Sequence, residues 1–162
     1  MIKNLEIVNF KNYEPNLDRI QRVFGVFDEC IQTLETLRIE YAVTGSIGLI
    51  LNTNKIYRSI KDVDFIVREP LYHEQLSFFL KNGFEYRDTT FNTFMLIKNF
   101  VTIEFHSKYL RLSNVIINSK KIQYNTHFIN VISIEDIFSA KKLQGKLRQK
   151  DLEDIEFYSQ FV

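Results

Sequence analysis

Two aspartates and a glutamate occupy positions from which their side chains could share a cation. Asp62 and Asp64 belong to the run Asp62-Val63-Asp64-Phe65-Ile66-Val67, whose β-branched and aromatic residues read as a strand. Successive strand side chains point to opposite faces, so the two aspartates project to one side, with α-carbons roughly 6.6 Å apart. Aspartate is depleted in strands and seldom buried unpaired, so two on one face of an apolar strand need a reason. Either Asp62 ends the preceding loop while Asp64 pairs with a lysine or arginine, or both reach one ion. Glu104 repeats the pattern between Ile103 and Phe105, where alternation turns it away from both neighbours. Alone it suits a solvent-facing strand position; on a strand adjacent to the aspartates it completes an oxygen-rich site. Converging carboxylates repel one another without a cation, and Mg2+ is bound by a few carboxylates together with water and substrate phosphate.

Gly45-Ser46 supplies a second feature. It follows the short apolar run Tyr41-Ala42-Val43 and precedes the apolar residues 47–51, a strand turning into a helix. Glycine at such a turn lets backbone N–H groups approach phosphate, the serine hydroxyl adds a donor, and the helix presents its positive end. Gly-Ser is also an ordinary turn dipeptide, so its meaning depends on the acids beside it.

These residues need elements to hold them. Leu17, Ile20, Phe24, Phe27, Ile31, Leu34 and Leu37 recur at steps of three and four, which predicts a long amphipathic helix. Pro70 opens a further helix that stops near Asn82-Gly83. Residues 84–87, 93–98 and 101–106 read as short antiparallel strands, and 122–124 and 128–132 as further strand pieces. Ser133 with Asp136 matches a capping box that starts a helix through Lys142, and a last helix runs over about 148–158. The expected class is α+β, a mixed β-sheet flanked by helices. With two prolines, five glycines and no repeat or low-complexity tract, residues 1–162 read as one domain, with a core over about 17–132 and a helical segment over about 133–162.

Composition narrows the partners. Lysine and arginine total 21 against 20 aspartates and glutamates, so any attraction for phosphate is local rather than global. The lone Cys30 excludes an internal disulfide or thiolate metal cluster and reads as a small core or interface residue. No apolar run approaches the roughly 20 residues that span a bilayer, and residues 1–14 lack a signal-peptide pattern. A cytoplasmic protein without membrane association is expected.

The order Tyr41-Ala42-Val43-Thr44-Gly45-Ser46, a helix, Arg58-Ser59-Ile60-Lys61-Asp62-Val63-Asp64-Phe65 and a later Glu104 resembles the DNA polymerase beta-type nucleotidyltransferase superfamily. Among its members it is most similar to small bacterial ones: minimal nucleotidyltransferases, lincosamide nucleotidyltransferases and AbiEii-type toxins. The motif-grade similarity spans residues 45–104, and the charged segment from Asp136 to Ile155 is similar in pattern to the basic helical end of those proteins. Two features depart from the commonest pattern: the segment 47–61 between Ser46 and Asp62 is longer, and the third acid is Glu104 where many members carry aspartate.

The resemblance implies a nucleotidyltransferase-like fold and transfer of a nucleoside monophosphate from a triphosphate, ATP foremost, to a hydroxyl on a small molecule, a tRNA or a protein. It implies Mg2+ or Mn2+ on Asp62, Asp64 and Glu104, which would also be the catalytic groups. Gly45, Ser46, Arg58 and Lys142 would bind the nucleotide. The alternative it leaves open is a non-catalytic member of the same fold, such as a toxin–antitoxin partner, and a homodimer is a further possibility.

Other residues carry weaker signals. Lys142, Lys146 and Lys150 recur every four residues and would share a helical face, either toward phosphate or as part of a solvated mixed-charge helix. Arg58 could touch phosphate or stay solvated. His73, His106 and His127 lack metal-ligand spacing, although His106 alternates with Glu104 on one strand face. Tyr109, Tyr124 and Phe128 could line an acceptor pocket.

Overall fold

A computed structural model of the chain describes residues 5–87, 93–107, 118–143 and 145–162. Helix α1, Leu17–Thr36, buries Ile20, Phe24, Phe27, Ile31 and Leu34, the stripe that the three-and-four spacing predicts. Asn16 caps it by accepting a hydrogen bond from the Arg19 backbone N–H at 2.9 Å, satisfying one of the donors that a helix start leaves unpaired.

Among the described residues, seven strands form one mixed sheet in the order β5-β6-β7-β4-β2-β9-β8. In chain order these are β2 Tyr41–Thr44, β4 Asp62–Val67, β5 Glu85–Arg87, β6 Thr93–Lys98, β7 Val101–His106, β8 Lys120–Tyr124 and β9 His127–Val131. Two further strands of two residues each, β1 Glu6–Ile7 and β3 Lys55–Ile56, pair in parallel apart from it. Strand β4 lies at the centre, antiparallel to β2 and parallel to β7.

The core explains that arrangement. Val63 and Phe65 of β4 and Val101, Ile103 and Phe105 of β7 are buried, and Phe65 stacks between Phe27 of α1 and Phe105, with ring centroids 5.8 Å and 5.4 Å away. Such offset aromatic pairs add to the hydrophobic stabilisation of the shared face. Because Phe65 pairs with Phe105 in the ladder, the intervening Asp64 and Glu104 are paired on the opposite face. Cys30 is fully buried in the same core.

The remaining α-helices among the described residues are α2 Gly45–Thr53, α3 His73–Lys81, α4 Ile134–Leu143 and α5 Gln149–Tyr158. Helix α3 begins three residues beyond Pro70, where the Tyr72 backbone N–H donates to the Gln75 side chain at 2.9 Å; the proline lies in the entry rather than in the first turn. The 142–150 lysines do not share one helical face, because Gly145, at φ +92°, lies between α4 and α5. Tyr124 is no pocket residue: it is buried, its ring packs edge-on against Phe27, and its hydroxyl donates to Asp28. Phe128 is exposed on β9, and Tyr109 lies outside the described residues. No described helix is long and apolar enough to cross a membrane.

A buried ionic network joins the C-terminal helices to the segment between β3 and β4. Asp154 of α5, 1% exposed, accepts from Arg58 Nε at 3.0 Å and Nη2 at 2.8 Å, from Tyr57 Oη at 2.8 Å and from Lys141 Nζ at 3.2 Å. Asp151 accepts from Lys141 Nζ at 2.6 Å and Arg148 Nε at 2.7 Å. These donors satisfy carboxylates that would otherwise be costly to bury. Asp154→Ala leaves the Arg58 guanidinium buried without its partner and should destabilise the protein by about 3–5 kcal/mol in urea unfolding. A loss below 1 kcal/mol would show that the network is solvated rather than structural.

Candidate active site

The site is a row across three neighbouring strands. Thr44 at the end of β2 pairs with Asp64 of β4, and Asp64 pairs with Glu104 of β7. Alternation puts Asp62 on the same face as Asp64, and His106 on the same face as Glu104; all four are partly buried while the residues between them are buried. His106 Nε2 lies 3.5 Å from Asp64 Oδ1 and 3.8 Å from Glu104 Oε2. Ligand atoms of Asp64, Glu104 and His106 all fall within 4.8 Å of one another. Asp62 stands beside this group rather than in it.

Electrostatics record the crowding. The Asp62 carboxyl is raised above the ordinary carboxylate range by burial and by the charge of Asp64; Glu104 is raised for the same two reasons. Burial would lower the affinity of His106 for a proton, but its hydrogen bond to Asp64 and the charges of Asp64 and Glu104 outweigh this and raise it. Negative charge is thus in excess on this face, and a hard or borderline cation fits the donor set that the residues present.

Gly45 is fixed at its position twice over. Its φ of +62° belongs to the left-handed region, which side chains seldom tolerate. A Cβ there would also fall 2.1 Å from Asp64 Oδ2. The glycine therefore lets the start of α2 lie directly against the Asp64 carboxyl, so the positive end of the helix faces the acids. Ser46, the next residue, accepts a hydrogen bond from Arg58 Nη2 at 3.2 Å.

Arg58 is mostly buried rather than solvated: the two-pronged Asp154 contact holds it, and it reaches the turn through Ser46. Lys142 is exposed on α4 and does not figure among the cations acting on the acids. Those include Lys150, Lys61 and Arg58, each of which offsets part of the rise at Asp62, and Arg148, on which the charges of Asp62 and Asp64 act. Lys150 also acts on Glu104, and burial lowers its own proton affinity. Spacing in the sequence could not single out Lys150, because the turn between α4 and α5 decides which lysine faces the sheet.

The fold with these features is that of the nucleotidyltransferases. Solved structures that share it include a lincosamide antibiotic adenylyltransferase with lincomycin bound, 16% identical, with a TM-score of 0.64 over 88% of this chain and 97% of that one. Another is the antibiotic-resistance factor ANT(2'')-Ia in complex with adenylyl-2''-tobramycin, 10% identical, TM-score 0.62, over 86% and 88%. A third is an antigenic nucleotidyltransferase-like protein from Paracoccidioides brasiliensis, 19% identical, TM-score 0.56, over 91% and 78%. No protein-family model and no curated protein sequence matches the chain.

Gly45→Ala introduces both backbone strain and a collision with the Asp64 carboxyl. It should destabilise the protein by about 1–3 kcal/mol, read as a lower thermal midpoint, and weaken binding of a nucleoside triphosphate. An unchanged midpoint and unchanged nucleotide binding would show that the turn tolerates a side chain.

Proposed function

We propose that the chain is a metal-dependent nucleotidyltransferase that moves a nucleoside monophosphate from a triphosphate, ATP foremost, onto a hydroxyl. The observation that carries this reading is the ladder pairing of Asp64 with Glu104 beside the Gly45 turn, within the fold of the nucleotidyltransferases. A non-catalytic binding module would have no need of a third acid in register with the second, so the pairing favours turnover.

The residues divide the work. The N-terminal turn of α2 at Gly45 and Ser46 receives phosphate oxygens, with the Ser46 hydroxyl oriented by Arg58. Lys150, on α5 beside Asp62, supplies positive charge toward the triphosphate. Asp62, Asp64 and Glu104 provide the oxygens that would hold Mg2+ or Mn2+, and a bound dication neutralises the triphosphate and the departing pyrophosphate. The acceptor oxygen bonds to the α-phosphorus, the bond from that phosphorus to the bridging oxygen breaks, and pyrophosphate leaves. We assign the hydroxyl proton to Glu104, whose raised proton affinity suits a general base. Transfer of this kind depends chiefly on positioning and charge neutralisation.

Two of the structural neighbours hold lincomycin or an adenylylated tobramycin, which makes small hydroxylated molecules the first acceptor class for this chain, ahead of tRNA and protein. The test is incubation with Mg2+ or Mn2+, α-labelled triphosphates and lincosamide, aminoglycoside, tRNA or protein acceptors. Label should pass to an acceptor, and Asp64→Asn should reduce transfer by at least about 100-fold while circular dichroism stays unchanged. No label on any acceptor, or full activity in Asp64→Asn, contradicts the reading.

A further inference from the structure

The carboxylate-only set is not the set that the fold brings closest together. Asp64 and Glu104 converge with the imidazole of His106, while Asp62 remains to one side. Ligands about 2.1 Å from an ion and separated by 90–110° lie roughly 3.0–3.4 Å apart; the Nε2 distances of 3.5 Å and 3.8 Å to the two carboxylates need only a small contraction to meet this.

The ring's other nitrogen supplies an independent observation. Thr93 Oγ1, from the neighbouring strand β6, lies 3.4 Å from His106 Nδ1, because Thr93 pairs with His106 in the β6–β7 ladder. Without a cation Nε2 carries the proton that faces Asp64; when a cation displaces that proton, a hydroxyl that accepts from Nδ1–H leaves the Nε2 lone pair for the ion. Metal-ligating histidines are oriented in this way, with the distal nitrogen tied to an outer partner. A histidine that merely decorated a strand would need no such second contact.

We propose that Asp64, Glu104 and His106, with Thr93 behind the ring, form a centre for a first-row transition dication such as Mn2+ in preference to Mg2+. The inference rests on the reading of this face as a cation site and gives that site its ion. Mg2+ takes oxygen ligands almost exclusively, whereas an imidazole nitrogen favours transition dications. One carboxylate oxygen of Glu104 ligates the ion and the other remains for the acceptor's proton.

The experiment uses the full chain without nucleotide. Mn2+ should bind at least about tenfold more tightly than Mg2+ in competition, and pulsed electron paramagnetic resonance of the Mn2+ complex should show coupling to a directly bound nitrogen. His106→Ala should remove that coupling and bring the two ions to within about threefold of each other. Thr93→Val should keep the coupling but weaken Mn2+ by about tenfold, the scale of outer-partner effects on a metal site. Mn2+ bound with no nitrogen coupling in the unaltered protein overturns the inference, and so does coupling that survives His106→Ala; if that variant does not fold, the unaltered protein and Thr93→Val decide. Failure here with label transfer intact under Mg2+ would leave the nucleotidyltransferase reading standing. Nitrogen-coupled Mn2+ with no transfer to any acceptor would separate the two in the opposite sense.

Discussion

The parallel register between β4 and β7 is the constraint from which the rest follows. On the buried face it stacks Phe65 on Phe105; on the open face the same pairing sets Asp64 against Glu104. A slip of either strand by one residue would put its carboxylate into the apolar core and its ring into water, and side-chain periodicity in a strand offers no intermediate. Hydrophobic burial therefore stabilises an arrangement of charge that repels itself. The aromatic core is the reason that the acids can be held close together at all.

The second strand pair extends this logic. Thr44 lies opposite Asp64, so the chain leaves β2 beside the acids, and only a residue without a Cβ can turn into α2 there. The helix start, the acids and the imidazole thus occupy one face as a consequence of ladder pairing rather than of loop placement, which suits a site needing fixed geometry. The C-terminal helices complete it from outside the sheet. Asp154 grips Arg58, Arg58 reaches Ser46, and Lys150 of the same helix acts on Asp62. Folding of the last thirty or so residues and the order of the Gly45-Ser46 turn are linked through one buried carboxylate.

Much of this could be read from residue order, because it depends on strand alternation. Asp62, Asp64 and Glu104 were recognisable as acids opposite apolar neighbours, and the long helix announced itself by its spacing. His106 was half legible: alternation placed it with Glu104, but only the ladder to β6 reveals Thr93 behind it. Arg58 and Asp154 could not be matched, since no local pattern joins residues from opposite ends of the fold. Lys150 was obscured by the break at Gly145, which changes the facing of every lysine after it. The two-residue strands β1 and β3 are too short to show any period, and the start of α3 was set by a side-chain cap rather than by the proline.

The face that carries Asp62, Asp64 and Glu104 holds more negative charge than its surroundings neutralise. Asp62, Glu104 and His106 all hold protons more tightly in the folded chain than ordinary groups do, so the folded state takes up more protons than the unfolded state as pH falls through their range. Stability must then rise in that direction. Asp151 and Glu153, held below the usual carboxylate range, act in the opposite sense only in more acidic solution. The decisive measurement is the unfolding free energy from pH 8 to pH 5 in chelator, repeated with saturating Mn2+. An excess of negative charge makes stability rise as pH falls in chelator, and makes Mn2+ stabilise the protein far more at pH 8 than at pH 5. Stability that is flat or falls across that range in chelator, with no effect of Mn2+ at pH 8, would contradict it.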